Sequence, residues 1–171
     1  MSNNFQHIQT AMKKILVPTV LLFVLIGYSA FSQNFLTLAD AEKILGEKAH
    51  IKDSSSTLNN EVSTFNSSFA ANSKDEKTGK LGIIYFMYEH FSEVSSAKDT
   101  YASIKTSNEK NGITVLHDIG DEAYFHTDNE NFYFILVRKG SKMFRMKVNK
   151  LTSKTSMNEF KAIATKITSG L

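Results

Sequence analysis

The chain of 171 residues, with 42% hydrophobic and 22% charged side chains, is long enough for one globular domain around a single core. It contains no cysteine, which excludes disulfides, thiolate metal sites, a cysteine nucleophile and a lipid attached to an N-terminal cysteine. The formal charge of +3 becomes +1 without residues 1–32, since that segment holds two lysines and no acidic residue. We therefore expect no nucleic-acid partner.

Residues 1–32 have the pattern of a bacterial secretory signal. Lys13 and Lys14 precede an apolar run of 14 residues, Ile15 to Tyr28, and small residues then precede Gln33. We expect a signal peptide over 1–32, cleaved before Gln33, and a periplasmic or secreted domain over 33–171. Met12 is a candidate start, because it would place both lysines at the N-terminus. The alternative is an uncleaved anchor, although the run is shorter than the roughly 20 residues of a spanning helix.

Three helices are predicted in the mature chain. The first follows Thr37 as N-cap, has Asp40 at its third position and ends at Gly46. The second runs from about Ser92 to about Asn108 on the spacing of its apolar residues. The third starts at Ser156, which forms an S-x-x-E capping pattern with Glu159.

Six strands are predicted from alternating or continuous apolar runs bounded by turn residues. The polar run Asp53–Thr57 is interpreted as a loop, and the strand after it as an edge strand. The turn residues at 127–131 and at 139–142 predict two hairpins formed by the last three strands. The predicted strands are Val62–Ala70, Leu81–Tyr88, Ile113–His117, Ala123–Phe125, Phe132–Arg138 and Met143–Val148.

The order α-β-β-α-β-β-β-β-α indicates the α+β class, with an antiparallel sheet of about six strands and helices packed mainly on one face. The pieces GDEAYF (120–125), LVRKGSKMFRMKV (136–148) and TLADAEKILG (37–46) resemble a group of small exported bacterial domains and lipoproteins of poorly known function. That group has a fold similar to the PsbP-like α/β sandwich. The resemblance implies an envelope or secreted binding or sensing domain without a catalytic site.

A cluster of imidazole and carboxylate side chains lies within ten residues of sequence. It comprises His117, Asp118, Asp121, Glu122 and His126, and such groups are ligands for zinc or another divalent ion. The alternative is that the acidic residues form the bend while both histidines end strands, since no known ligand spacing is present. A metal site would use His117, Asp121 and His126; otherwise we expect no cofactor.

Basic residues cluster on and beside the last hairpin. Arg145 and Lys147 alternate with apolar residues and are expected to point to solvent. The group could bind an anionic surface, or it could protect an edge strand from pairing. Its members are Arg138, Lys139, Lys142, Arg145 and Lys147.

No nucleophile elbow, paired serine–lysine motif or phosphate-binding glycine loop is present in the sequence. The leading hypothesis is therefore an exported, non-enzymatic binding or sensing domain of the bacterial cell envelope, with an envelope ligand or protein as partner. The alternative is a small extracytoplasmic metal-binding protein or hydrolase that uses the region of His117, Asp121 and His126.

Overall fold

The computed structural model describes residues 35–110 and 112–171. Every helix and strand described below belongs to one compact unit, Leu36–Leu171. The predicted signal peptide over 1–32 and its cleavage site before Gln33 lie outside the described residues. Within the described ranges, the structure contains no helix that combines the length and the apolar character required to span a membrane.

The elements follow the order α-β-β-β-α-β-β-β-β-α, which confirms the α+β class with an antiparallel sheet. The predicted helices and the six predicted strands are present, with ends that differ by up to a few residues. The helices are α1 Leu38–Leu45, α2 Val94–Glu109 and α3 Met157–Ser169. The strands are β1 Ala49–Leu58, β2 Val62–Ala71, β3 Ile83–Phe91, β4 Ile113–Leu116, β5 Glu122–Thr127, β6 Phe132–Lys139 and β7 Lys142–Asn149.

Both ends of α1 and the start of α3 follow the capping residues of the sequence. Thr37 accepts a hydrogen bond from the Asp40 amide, and the Asp40 carboxylate accepts one from the Thr37 amide, which completes a capping box. Gly46 ends α1 in the left-handed conformation, with φ of 70°. Ser156 caps α3 by accepting a hydrogen bond from the Glu159 amide.

The interpretation of Asp53–Thr57 as a loop is wrong, because these residues belong to β1. β1 pairs with β2 from Ala49 to Leu58, apart from a bulge at Lys52. The sheet consequently has seven strands rather than six, and β2 lies inside the sheet rather than at its edge. Main-chain hydrogen bonds form this strand without an apolar face, since Ala49 is its one buried residue.

The strand order is β1-β2-β3-β7-β6-β5-β4, and all neighbours are antiparallel. Two meanders, β1 to β3 and β4 to β7, meet where β3 pairs with β7. α2 connects them by crossing over the sheet, since β4 lies at the far edge.

One face of the sheet, the two-helix face, packs against α1 and α3. Its buried side chains include Ile84, Phe86, Phe144 and Met146, which the strand register places together. Phe160 of α3 packs against aromatic rings of β5 and β6. α1 lies beside α3 and is joined to it by the ion pair between Asp40 and Lys166, 2.8 Å long.

The opposite face, the one-helix face, packs against α2 over part of its area. Ala97 and Tyr101 of α2 form a core cluster with side chains of four strands: Phe91, Tyr124, Leu136 and Met143. Of the three helices within residues 36–171, α1 and α3 thus share a face, and α2 covers part of the other one.

Candidate functional site

The five basic residues of the last hairpin do not lie on one face of the sheet. Lys139 pairs with Lys142 across the hairpin, and both belong to the two-helix face by the alternation of β6 and β7. Arg138, Arg145 and Lys147 belong to the one-helix face. A single surface formed by all five side chains is therefore excluded by the register.

Arg138 is buried, with its side chain 4% exposed, and is bound by three oxygen acceptors. Its guanidinium donates to the carboxylates of Asp121 at 2.9 Å and Glu122 at 2.6 Å, and to the Gly140 carbonyl at 2.9 Å. The pKa of Asp121 is lowered, because the Gly140 amide donates to its carboxylate and Arg138 lies beside it. These contacts give Arg138 a structural role, joining the hairpin to the bend before β5.

The Gly-Asp-Glu piece of the sequence has a structural explanation in this contact. Gly120 has φ of 66°, and a Cβ placed on it would lie 2.6 Å from the Arg138 carbonyl oxygen. Glycine is thus required where the bend meets β6, so that Asp121 and Glu122 can reach the guanidinium.

Lys139 and Lys142 bind carbonyl oxygens at the C-terminal end of α3. The Lys139 ammonium donates to the Thr168 carbonyl at 3.2 Å, and that of Lys142 donates to the Leu171 carbonyl at 2.7 Å. The position of Lys139 is favourable, because the carbonyl groups of the last helical turn, Thr168 among them, carry partial negative charge; Leu171 follows the end of α3. Both lysines therefore fasten α3 to the sheet.

Arg145 and Lys147 remain on the part of the one-helix face that faces solvent. Arg145 donates to the Glu89 carboxylate at 2.8 Å, and its Nε is buried without a hydrogen-bond partner among the described residues. The Lys147 ammonium lies 5.2 Å from the centre of the Phe132 ring, a cation–π contact. Lys147 is the member of the basic group for which the structure shows no hydrogen bond or ion pair with a described residue.

Tyr85 on β3 lies directly opposite Lys147 on β7 and is 42% exposed. Both strands are inside the sheet, and their one-helix face is open here because α2 covers the other end of it. Sequence reasoning missed Tyr85, although the apolar character of both faces of its strand was the available signal. We name this surface the open patch: Tyr85, Met87, Phe132, Arg145 and Lys147.

Tyr124 is fully buried in the core under α2. Its hydroxyl accepts a hydrogen bond of 3.0 Å from Asn108 of α2, and burial raises its pKa. Burial thus keeps the phenol in its neutral form, and the hydrogen bond fixes it against α2.

The proposed metal ligands are not brought together. His117 is exposed after β4, and Asp121 is bound by Arg138 and Gly140. His126 is buried at the other end of β5, where its Nδ1 contacts the Gly112 carbonyl at 2.7 Å. Across the part of the chain that the structure describes, no three His, Cys, Asp or Glu side chains are grouped around a point where a metal ion could bind.

No protein-family model, no curated protein and no solved structure matches the chain. The fold defines the class of the protein, an α+β domain built on an open seven-stranded antiparallel sheet. The resemblance to PsbP-like exported domains stays a prediction.

Proposed function

We propose that this chain is an exported, non-enzymatic binding domain of the bacterial cell envelope, and that a negatively charged ligand binds at the open patch. The leader pattern over residues 1–32 supports export. The observation that carries the choice of surface is the pairing of an exposed tyrosine with an exposed lysine on two inner strands of the sheet.

The chemistry of the open patch favours weak, adaptable binding. Lys147 supplies an ammonium group for an anionic group of the ligand, while Tyr85 and Phe132 supply aromatic surface beside it. One exposed lysine contributes only about 1 kcal/mol to binding at an anionic surface. The interaction is therefore expected to be salt-sensitive, since the Debye length is about 8 Å at physiological ionic strength and shrinks above it.

Two probes test the proposal and separate two sources of negative charge: vesicles that contain an anionic lipid, and a soluble polyuronate. The protein should bind at least one of them at low salt and lose binding as salt rises. Lys147→Gln should weaken binding about fivefold, the equivalent of about 1 kcal/mol. Tyr85→Ala should also weaken it.

Lys43→Gln is the matched control, because Lys43 is exposed on α1 and belongs to the two-helix side. It removes the same charge and should leave binding unchanged. Equal binding by the Lys147→Gln variant and the parent, or no binding of either probe at low salt, would refute the proposed surface. Catalytic turnover by the purified protein would refute its non-enzymatic character.

A further inference from the structure

The edge strand β1 carries the two most exposed large hydrophobic side chains among the described residues. Leu58 is 84% exposed and Ile51 is 59% exposed. Both belong to the two-helix face, because Leu58 pairs with Ser63 and Ile51 with Phe69. Exposed apolar groups at both ends of an unpaired edge are typical of a surface that a partner covers.

The edge itself is long, and the features that commonly protect an edge, a lysine and a bulge, are confined to Lys52 near one end. β1 has ten residues, whereas β4 at the other edge has four. Between Ile51 and Leu58 it carries one basic and one acidic residue, Lys52 and Asp53, followed by three serines and a threonine. Among residues 35–110 and 112–171, only β2 pairs with β1, on its inner side, so its outer main-chain groups are available for another strand.

We propose that a second copy of this chain pairs with β1 in antiparallel fashion, about a twofold axis that passes through Ser55. We place the twofold axis perpendicular to the sheet, so that the two-helix faces of both copies lie on the same side of the combined sheet. Each residue of β1 must then pair with a residue of the second copy that belongs to the same face. In this register Ser55 meets Ser55 of the second copy, and Ser54 meets Ser56 of that copy. Asp53 then meets Thr57 of the second copy.

The side chains favour this register over its neighbours. Because Lys52 is bulged, Leu58 of the second copy lies opposite Ile51, so the two exposed apolar side chains cover each other twice. If the axis passed through Ser56 instead, Leu58 would lie opposite Ser54. If it passed through Ser54, Leu58 would lie opposite Ala49.

The expected association is weak. A single added strand pair buries less than the about 1,200 Å² of total surface at which stable interfaces begin. The dimer should therefore form in a concentration-dependent way and exchange with the monomer.

Disulfide trapping tests the register, because the chain contains no cysteine that could interfere. In Ser55→Cys the two introduced residues face each other with Cα atoms about 5 Å apart, within the range of a disulfide. Thr57→Cys is the matched control, since it is equally exposed and lies on the same face. Its counterpart in the second copy would be about 14 Å away along the strand, too far to bridge.

The full chain carrying each substitution is treated with a mild oxidant at increasing protein concentration and analysed on non-reducing gels. Ser55→Cys should give a dimer band, Thr57→Cys should give little, and circular dichroism verifies that both are folded. Adding Leu58→Ser to Ser55→Cys should raise the concentration for half-maximal cross-linking about tenfold or more. Equal cross-linking of both single variants, absence of any dimer band, or no effect of Leu58→Ser would overturn the proposal.

Discussion

At the scale of single residues, Arg138 and its two carboxylates are not equivalent partners. The arginine side chain is 4% exposed, whereas those of Asp121 and Glu122 are 50% and 44% exposed. Solvent can stabilise either carboxylate without the arginine, but it cannot stabilise the buried guanidinium without them. The carboxylates therefore determine whether the charge of Arg138 is tolerated.

This asymmetry predicts the effect of removing either side of the interaction. The double variant Asp121→Asn with Glu122→Gln should lower the free energy of unfolding by about 3 kcal/mol, because a buried charge loses its partners. Arg138→Met keeps most of the side-chain volume and should cost under about 2 kcal/mol, since the remaining carboxylates are half exposed. Urea denaturation measures both.

The exposed pair Lys105 and Glu109 on α2 provides the comparison. Replacing its members by Met and Gln should change the free energy of unfolding by no more than about 0.5 kcal/mol. If Arg138→Met proved more destabilising than the carboxylate double variant, the assignment of the carboxylates as the indispensable side would be wrong.

At the scale of elements, the loop between β2 and β3 is joined to the loop between β7 and α3 by Asp75. Asp75 is buried and accepts hydrogen bonds of 2.7 Å from the Ser153 hydroxyl and from Thr78. These contacts, that of Ser153 first, lower the pKa of Asp75 from 3.8 to about 2. Because protonation is harder in the folded state, the carboxylate adds stability above its ordinary pKa, and this is lost as the pH falls from 3.8 to about 2.

Asp75→Asn should therefore reduce the loss of stability between about pH 6 and about pH 3. The measurement is the difference between the urea midpoints of each variant at the two pH values. Ser153→Ala removes the donor and leaves the carboxyl in place, so it should reduce the same difference. A pH dependence identical to the parent in both variants would contradict the role given to Asp75.

β1 shows why an element can escape detection in a sequence. Strand prediction depends on alternating apolar residues, and Asp53-Ser-Ser-Ser-Thr57 offers none, because neither face of this strand is buried along that run. The strand exists since β2 presents a complementary row of main-chain groups. β1 and β2 are neighbours in the chain, joined by residues 59–61, but main-chain groups leave no pattern in the side chains, so the local sequence did not reveal this pairing.

The basic residues of the last hairpin, unlike β1, could be sorted in part from the sequence. Alternation along β6 and β7 is sufficient by itself to separate Arg138 from Lys139, and Lys142 from Arg145, because successive side chains of a strand point to opposite faces. The burial of Arg138 does not follow from alternation, because it depends on Asp121 and Glu122 arriving from β5 and the preceding bend. The open patch is equally hidden in the sequence, since it depends on how far α2 extends across the sheet.

At the scale of the whole molecule, export is the prediction that rests on sequence alone. Mass spectrometry of protein recovered outside the cytoplasm should show a chain that starts at Gln33 or within a few residues of it, because Ala30 and Ser32 suit a signal peptidase. Recovery of the intact leader in the membrane fraction would instead support an anchor formed by Ile15 to Tyr28.

The sequence by itself determined both ends of α1 and the start of α3, the two last hairpins, the α+β class and the absence of cysteine chemistry, because each depends on local patterns, capping residues or composition. Only the tertiary structure decided the seventh strand, the pairing of β3 with β7, the contacts that occupy four of the five basic side chains, and the exposure of Tyr85 beside Lys147. The pairing of β3 with β7 brings together residues that α2 and three strands separate in the chain, and the contacts of the basic side chains likewise depend on other elements. β1 adjoins β2 in the chain, but its pairing uses main-chain groups that no apolar pattern marks.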